Sequence, residues 1–343
     1  MSDVSLDATA GAPLSDAPSA FARYEGIRPR LPQARYPLRS LHLPSLAEVA
    51  DHVDGFLLDA FGVLNVGETA IPGAVARLAG LRARGKRLAV LTNAASYTRA
   101  QLLAKYHRLG FDFTAEEVVA SRDVAVARLQ RIAPGATWAA ISAAGDDFVD
   151  IPARLVDAVA EPVAFDTADA ILFLSTARWT PHLQSRLVAA LDRRPRPVVI
   201  ANPDLVAPRE GGLTIEPGLF GHALLDALPG LEAHWFGKPF PEAFAEGIAR
   251  TGLAADRLAM VGDTLHTDVL GGAAAGCRSV LVTDHGLFAG LDTAPYVTAS
   301  GIVPDFIIGS PEARAASAWV RQAPLSIQAA WAVAAVSRCR GMG

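Results

Sequence analysis

Short apolar runs that close on an acidic or polar residue recur along the chain, and stretches with apolar positions three and four apart lie between them. Residues 56–58 (Phe-Leu-Leu) run into Asp59 and the turn residue Gly62. A helix is predicted to open at Pro72, to carry the stripe Val75, Leu78 and Leu81, and to stop near Gly85. Residues 87–91 read as the next strand. Residues 98–109 follow as a helix with Leu102, Leu103, Tyr106 and Leu109 on one face, ended by Gly110. This alternation has the lengths of βαβ units, and it predicts a parallel sheet covered on both faces.

Residues 138–142, 170–175 and 197–201 read as further strands, with a helix over about 181–192 and a loop at Asn202-Pro-Asp204. This stretch is predicted to be a separate α/β module inserted into the first. The βα rhythm is expected to resume with a helix over 218–228, Trp235-Phe236, a helix over 241–250 and a strand over 258–262. A helix over 268–276 and strands over 279–283 and 305–309 would complete it. The expected fold class is α/β, a Rossmann-like parallel-sheet core with an inserted α/β domain. The divisions fall at 1–45 (an Ala, Pro, Ser and Arg-rich extension, partly mobile or wrapped over the surface), 46–125 and 210–310 (core), 126–209 (insert) and 311–343 (an Ala-rich helical tail). No internal repeat is visible.

Composition narrows the function classes. Of 343 residues, 51% are hydrophobic and the formal net charge is −4, so a large core can form and no basic stripe invites nucleic acid. The two cysteines, Cys277 and Cys339, make no CxxC pair, which argues against a disulfide framework or structural zinc and fits a reducing cytoplasm. No apolar stretch approaches membrane-spanning length, and the N-terminus does not read as a secretory signal.

The candidate chemistry lies at strand ends, where open parallel sheets bind ligands. Asp59, Thr92 with Asn93, Lys238 in Gly-Lys-Pro, and the pair Asp263 and Asp268 in Gly-Asp-Thr-Leu-His-Thr-Asp all occupy such positions. Each has a plain explanation when taken singly. Asp ends turns, Asp263 or Thr264 could cap the next helix, Ser96 or Thr98 could cap another, and lysines are common in turns. Together the set suits phosphoryl chemistry. Asp59 could attack phosphorus, and two further carboxylates could supply oxygen ligands for Mg²⁺. Thr92 and nearby backbone N–H groups could hold phosphate oxygens, and Lys238 could neutralise them. His266 has no partner at zinc-ligand spacing.

These four segments resemble the motifs of the haloacid dehalogenase superfamily. The long insert between the second and third motifs, with Asn202-Pro-Asp204 near its return, resembles the subgroup of nitrophenyl-phosphatase-like, nucleotide and pyridoxal phosphate phosphatases. The resemblance covers about residues 46–310. It implies that the insert is a cap closing over a small phosphorylated metabolite, and caps of this subgroup often take part in homodimers. It further implies Asp59 as nucleophile and magnesium ligand, the backbone carbonyl of Phe61 and Asp263 as further ligands, and Asp268 as support for the metal shell. Thr92 and Asn93 would contact the phosphoryl group and Lys238 would stabilise it. Arg178, Trp179 and His182, near a strand end of the insert, are candidates for substrate contact.

One position departs from the phosphatase pattern Asp-x-Asp. Where the second Asp would protonate the leaving alcohol, this chain has Phe61. Losing a general acid costs about 10²–10⁴ in rate. The expected function is therefore a Mg-dependent phosphohydrolase whose leaving group needs no proton or whose proton comes from elsewhere. A metal- and phosphate-binding relative without activity is the alternative. Dehalogenases of the superfamily also lack the second acid, but they work without magnesium and without the Asp263/Asp268 motif.

Overall fold

The structure, a computed structural model, describes residues 14–311; the predicted tail over 311–343 lies almost wholly outside them. Seven strands form one parallel sheet in the order Leu41–His42, Phe306–Ile308, Arg278–Val282, Leu258–Gly262, Gly55–Leu58, Arg87–Thr92 and Val118–Ala120. The central strands are buried throughout, as near-continuous apolar runs require when helices cover both faces. From Gly55–Leu58 the chain builds outward to Arg87–Thr92 and Val118–Ala120. It later returns to the other side of Gly55–Leu58 with Leu258–Gly262 and Arg278–Val282. The direction of building therefore reverses between Gly55–Leu58 and Leu258–Gly262, and a crevice opens beyond their carboxyl ends.

A second parallel sheet has the order Ala233–Trp235, Val198–Ile200, Ala170–Phe173, Thr137–Ile141 and Arg154–Asp157. The sequence reading placed Trp235-Phe236 with the first sheet and resumed the core at residue 210. In the fold, Ala233–Trp235 pairs in register with Val198–Ile200, and the helix Pro217–Ala227 packs on the same sheet. Gly221 permits that contact, because a Cβ there would lie 2.9 Å from Ile200 and Trp235. The short strand Arg154–Asp157 and the hairpin Val206–Arg209/Gly212–Ile215 were not predicted. They are brief and half-exposed, so they carry little periodic signal.

Local signals placed several of the helices. Thr98 and Gln101 make a capping box on the helix Arg99–Arg108, and Pro181 and Pro241 open theirs. The predicted helix over 268–276 differs: a π-turn, Leu265–Val269, precedes the α-turns Leu270–Ala274. The part of the N-terminal extension that is described wraps the core. Tyr24, in the helix Ala17–Gly26, accepts a hydrogen bond from the Leu205 amide at 3.0 Å and stacks on His266 at 4.9 Å.

Candidate active site

Asp59 continues the central ladder by one residue, its amide donating to the Val261 carbonyl at 2.9 Å. The chain then turns sharply at Gly62, whose φ is +78°. A Cβ on Gly62 would fall 2.7 Å from Asp263, so the glycine lets the two strand-end loops touch. Asp263 leaves the end of Leu258–Gly262. It accepts hydrogen bonds from the Leu287 amide at 2.6 Å and the Thr264 hydroxyl at 3.0 Å. The π-turn carries Asp268 back beneath Gly262, where a Cβ would lie 2.0 Å from the Asp268 carboxyl carbon. π-turns recur at functional sites because they re-aim one side chain without ending the helix.

Lys238 arrives from the second sheet, three residues past Ala233–Trp235. Its Nζ lies 2.6 Å from Asp59 Oδ1 and 2.7 Å from Asp268 Oδ1. Asn93 holds it there: its side-chain oxygen accepts from the Lys238 amide at 2.7 Å, and its Nδ2 donates to the Lys238 carbonyl at 3.0 Å. The same Nδ2 donates to Asp204 at 2.8 Å. The Asn93 side chain is thus engaged in positioning, which leaves its backbone as the group free to play the expected phosphate-binding part. Thr92, at the end of its strand, lines the cavity beside Asp59.

Asp59, Asp263, Asp268 and Lys238 are between 1% and 8% exposed. One carboxylate oxygen from each Asp lies within 4.8 Å of the others. Among the described residues this is the one such group of metal-ligating side chains. Three carboxylates face one ammonium, so the cluster carries an excess of buried negative charge. Burial, and after it the opposing pull of Lys238 and the repulsion of Asp268, leaves Asp59 pushed up to about 7. Burial and then Asp59 and Asp268 push Asp263 up as well. Burial works against the Lys238 charge, but Asp268, Asp59 and Asp204 outweigh it and hold the ammonium above the ordinary lysine value. A hard divalent cation held by oxygen ligands would answer this excess, so the donor set fits one.

Asp204, Arg209 and Glu216, absent from the sequence expectations, line the cavity from the connection that follows Val198–Ile200 and from its hairpin. The Asn202-Pro-Asp204 loop stands out in the sequence, but neither hairpin residue stands in a motif. Arg178, Trp179 and His182 are not among the cavity-lining residues. Arg178 is tied to Asp157 at 2.8 Å and to the Ser142 carbonyl at 3.0 Å. Trp179 packs against Phe165, Phe173 and Phe220, and His182 is exposed at the start of Pro181–Arg193.

Family models described as haloacid dehalogenase-like hydrolase and HAD-hydrolase-like match residues 56–149 and 235–306, which carry the four strand-end segments. Human glycerol-3-phosphate phosphatase is 32% identical over 285 residues, covering 75% of this chain and 88% of its own length. The chain belongs to the haloacid dehalogenase-like hydrolases. A possible sugar phosphatase from Cytophaga hutchinsonii, 26% identical, superposes with a TM-score of 0.67 over 78% of this chain and 97% of its own. Glycerol phosphate phosphatase from Mycobacterium tuberculosis, solved in complex with magnesium, is 29% identical with a TM-score of 0.60, covering 76% of this chain and 75% of its own. Both the family models and these relatives describe hydrolases, and the named relatives are phosphatases. No helix among the described residues is long and apolar enough to cross a membrane.

Proposed function

We propose that this member of the family is a Mg²⁺-dependent phosphohydrolase acting on a small phosphorylated metabolite through an aspartyl-phosphate. The observation that carries the reading is the buried cluster of Asp59, Asp263 and Asp268 around Lys238 at the point where the sheet reverses. Asp59 and Asp263, with the Phe61 carbonyl, would hold the ion, and Asp268 would support it through Lys238 and the Thr264 amide. Bound there, the ion offsets repulsion between the Asp59 carboxylate and an anionic phosphate.

The chain's own groups do the rest. Lys238 keeps Asp59 oriented and compensates charge gathering on the phosphoryl oxygens. The Thr92 hydroxyl and the Asn93 backbone orient those oxygens. Asp59 forms the new bond to phosphorus as the leaving group departs, and water then releases phosphate. The second sheet and its hairpin act as the cap, covering the site during transfer and excluding bulk water. The cysteine pattern supports a reducing, cytoplasmic setting for it.

A phosphate-release panel run with Mg²⁺ and with EDTA tests the reading. Release that stops with EDTA and returns with Mg²⁺ is expected. Chloride release from haloacids without metal would instead mark a dehalogenase, and metal binding without turnover on a broad panel would mark an inactive relative.

Mg²⁺ should also stabilise the fold, by about 2.7 kcal/mol at a hundred times its dissociation constant. Thermal melts of the wild type should shift upward, and those of Asp263→Asn should not. Because the ion competes with the proton that burial keeps on Asp59 up to about pH 7, its apparent affinity should fall as pH drops below that value.

Phe61→Asp should raise turnover of alkyl phosphates more than of aryl phosphates, since the poorer leaving group needs the proton. The gain should stay near tenfold, below the usual 10²–10⁴ of a general acid. The Arg209 guanidinium and the Lys105 ammonium lie 4.3 and 5.3 Å from the present ring centre and would hold the new carboxyl ionised. Equal effects on both substrate classes, read as kcat/KM, would count against this account.

A further inference from the structure

Arg209 is the one cation among the described residues lining the cavity, whose wall it shares with Asp59, Asp204, Glu216 and Asp263. Its guanidinium carbon lies 4.3 Å from the centre of the Phe61 ring, within cation–π range. The other contacts that fix it are long: 3.4 Å to the Thr214 hydroxyl and 3.7 Å to Glu216. The hairpin that carries it is anchored beyond Arg209. Glu210 accepts a hydrogen bond from the Glu68 amide at 2.7 Å, and Gly67 lies so close that a Cβ there would sit 1.7 Å from the Glu210 carboxylate. Phe61 thus stands where the phosphatase pattern has its proton donor, and it serves as the platform for a positive charge.

Resting on the phosphohydrolase reading, we propose that Arg209, seated on Phe61, receives the leaving group as an anion, and that the substrate is a phosphoryl group joined to a second acid: an acyl phosphate or a phosphoanhydride. A guanidinium does not give up its proton near neutrality, so it cannot replace a general acid. Its planar fork does match a carboxylate or a phosphate in a two-point contact. In the transfer step the Asp59 oxygen bonds to phosphorus and the bond from phosphorus to the leaving oxygen breaks. The electron pair stays on that oxygen, which departs as carboxylate or phosphate beside Arg209 with no proton required. Water then adds to phosphorus, Asp59 leaves as a carboxylate, and the proton from water departs with inorganic phosphate. An alkyl ester would have to leave as an alkoxide, which neither Phe61 nor Arg209 can protonate.

The test is kcat/KM for acetyl phosphate, pyrophosphate and glycerol 3-phosphate with Mg²⁺, in the wild type, Arg209→Met and Arg209→Lys, with melting temperatures as a folding control. The wild type should favour at least one of the two anhydrides over glycerol 3-phosphate by 100-fold or more. Arg209→Met should cut that preference at least tenfold. Arg209→Lys, which keeps the charge but not the fork, should fall between and serves alone if the methionine variant does not fold. A wild type that prefers glycerol 3-phosphate overturns the inference. So does an equal loss on all three substrates, which would place Arg209 on the transferred phosphoryl group instead. Neither result touches the phosphohydrolase reading. That reading fails, and this inference with it, if no substrate releases phosphate or if Asp59→Asn retains full turnover.

Discussion

Asp59→Asn is expected to lower kcat by 10⁴-fold or more on every substrate that the wild type hydrolyses, as removal of a covalent nucleophile does elsewhere. The amide has nearly the shape of the carboxylate but cannot form the acyl phosphate. Its effect on stability should be small. Asp59 is one of three crowded acids and burial already disfavours its charge, so a neutral group there relieves repulsion. Lys238 loses one partner but keeps Asp268 at 2.7 Å. The measurement is phosphate release beside a thermal melt. A variant that folds normally and retains a tenth of the activity would remove Asp59 from the chemistry.

Lys238→Met should produce the largest loss of stability in the site. Nζ is the cation shared by Asp59 and Asp268, and its charge also acts on Asp204. Removing one partner from a buried ionic cluster typically costs about 3–5 kcal/mol, because the remaining charges lose compensation without regaining water. The sign of the pH dependence follows. Without the ammonium the carboxyls are held up further, so the folded state binds more protons than the unfolded chain over the range above the ordinary carboxylate values. The deficit should therefore be greatest at pH 8 and shrink towards pH 5. Added Mg²⁺ should recover part of it by supplying the missing positive charge. Urea melts at the two pH values, with and without Mg²⁺, read all three effects. A variant as stable as the wild type at pH 8 would show that the acids are compensated by other groups.

Much of this arrangement is legible in the residues. Asp59, Thr92 and Asp263 each close a short buried apolar run, and the parallel-sheet rule alone sends such ends to one edge. The helices that begin at Thr98, Pro181 and Pro241 were equally readable, because such caps and openers are local signals, whereas Ala17–Gly26, Ser121–Val126 and Ala294–Ser300 were not predicted. The strand Ala233–Trp235 was misassigned because its three residues look the same whichever sheet they join. Pairing with Val198–Ile200 decides it. Arg178 looked like a substrate contact from its place after a strand, yet Asp157, some twenty residues earlier, takes its guanidinium.

Spacing and chemistry thus determined the fold class, the strand-end acids and their shared edge, since those depend on neighbours a few residues away and on the sense in which parallel strands run. Tertiary structure alone decided which sheet delivers Lys238, why Gly62 must lack a side chain, and that an unpredicted hairpin lays Arg209 on Phe61. Those facts come from contacts between segments up to about 200 residues apart, and no local pattern of apolar and polar positions encodes them.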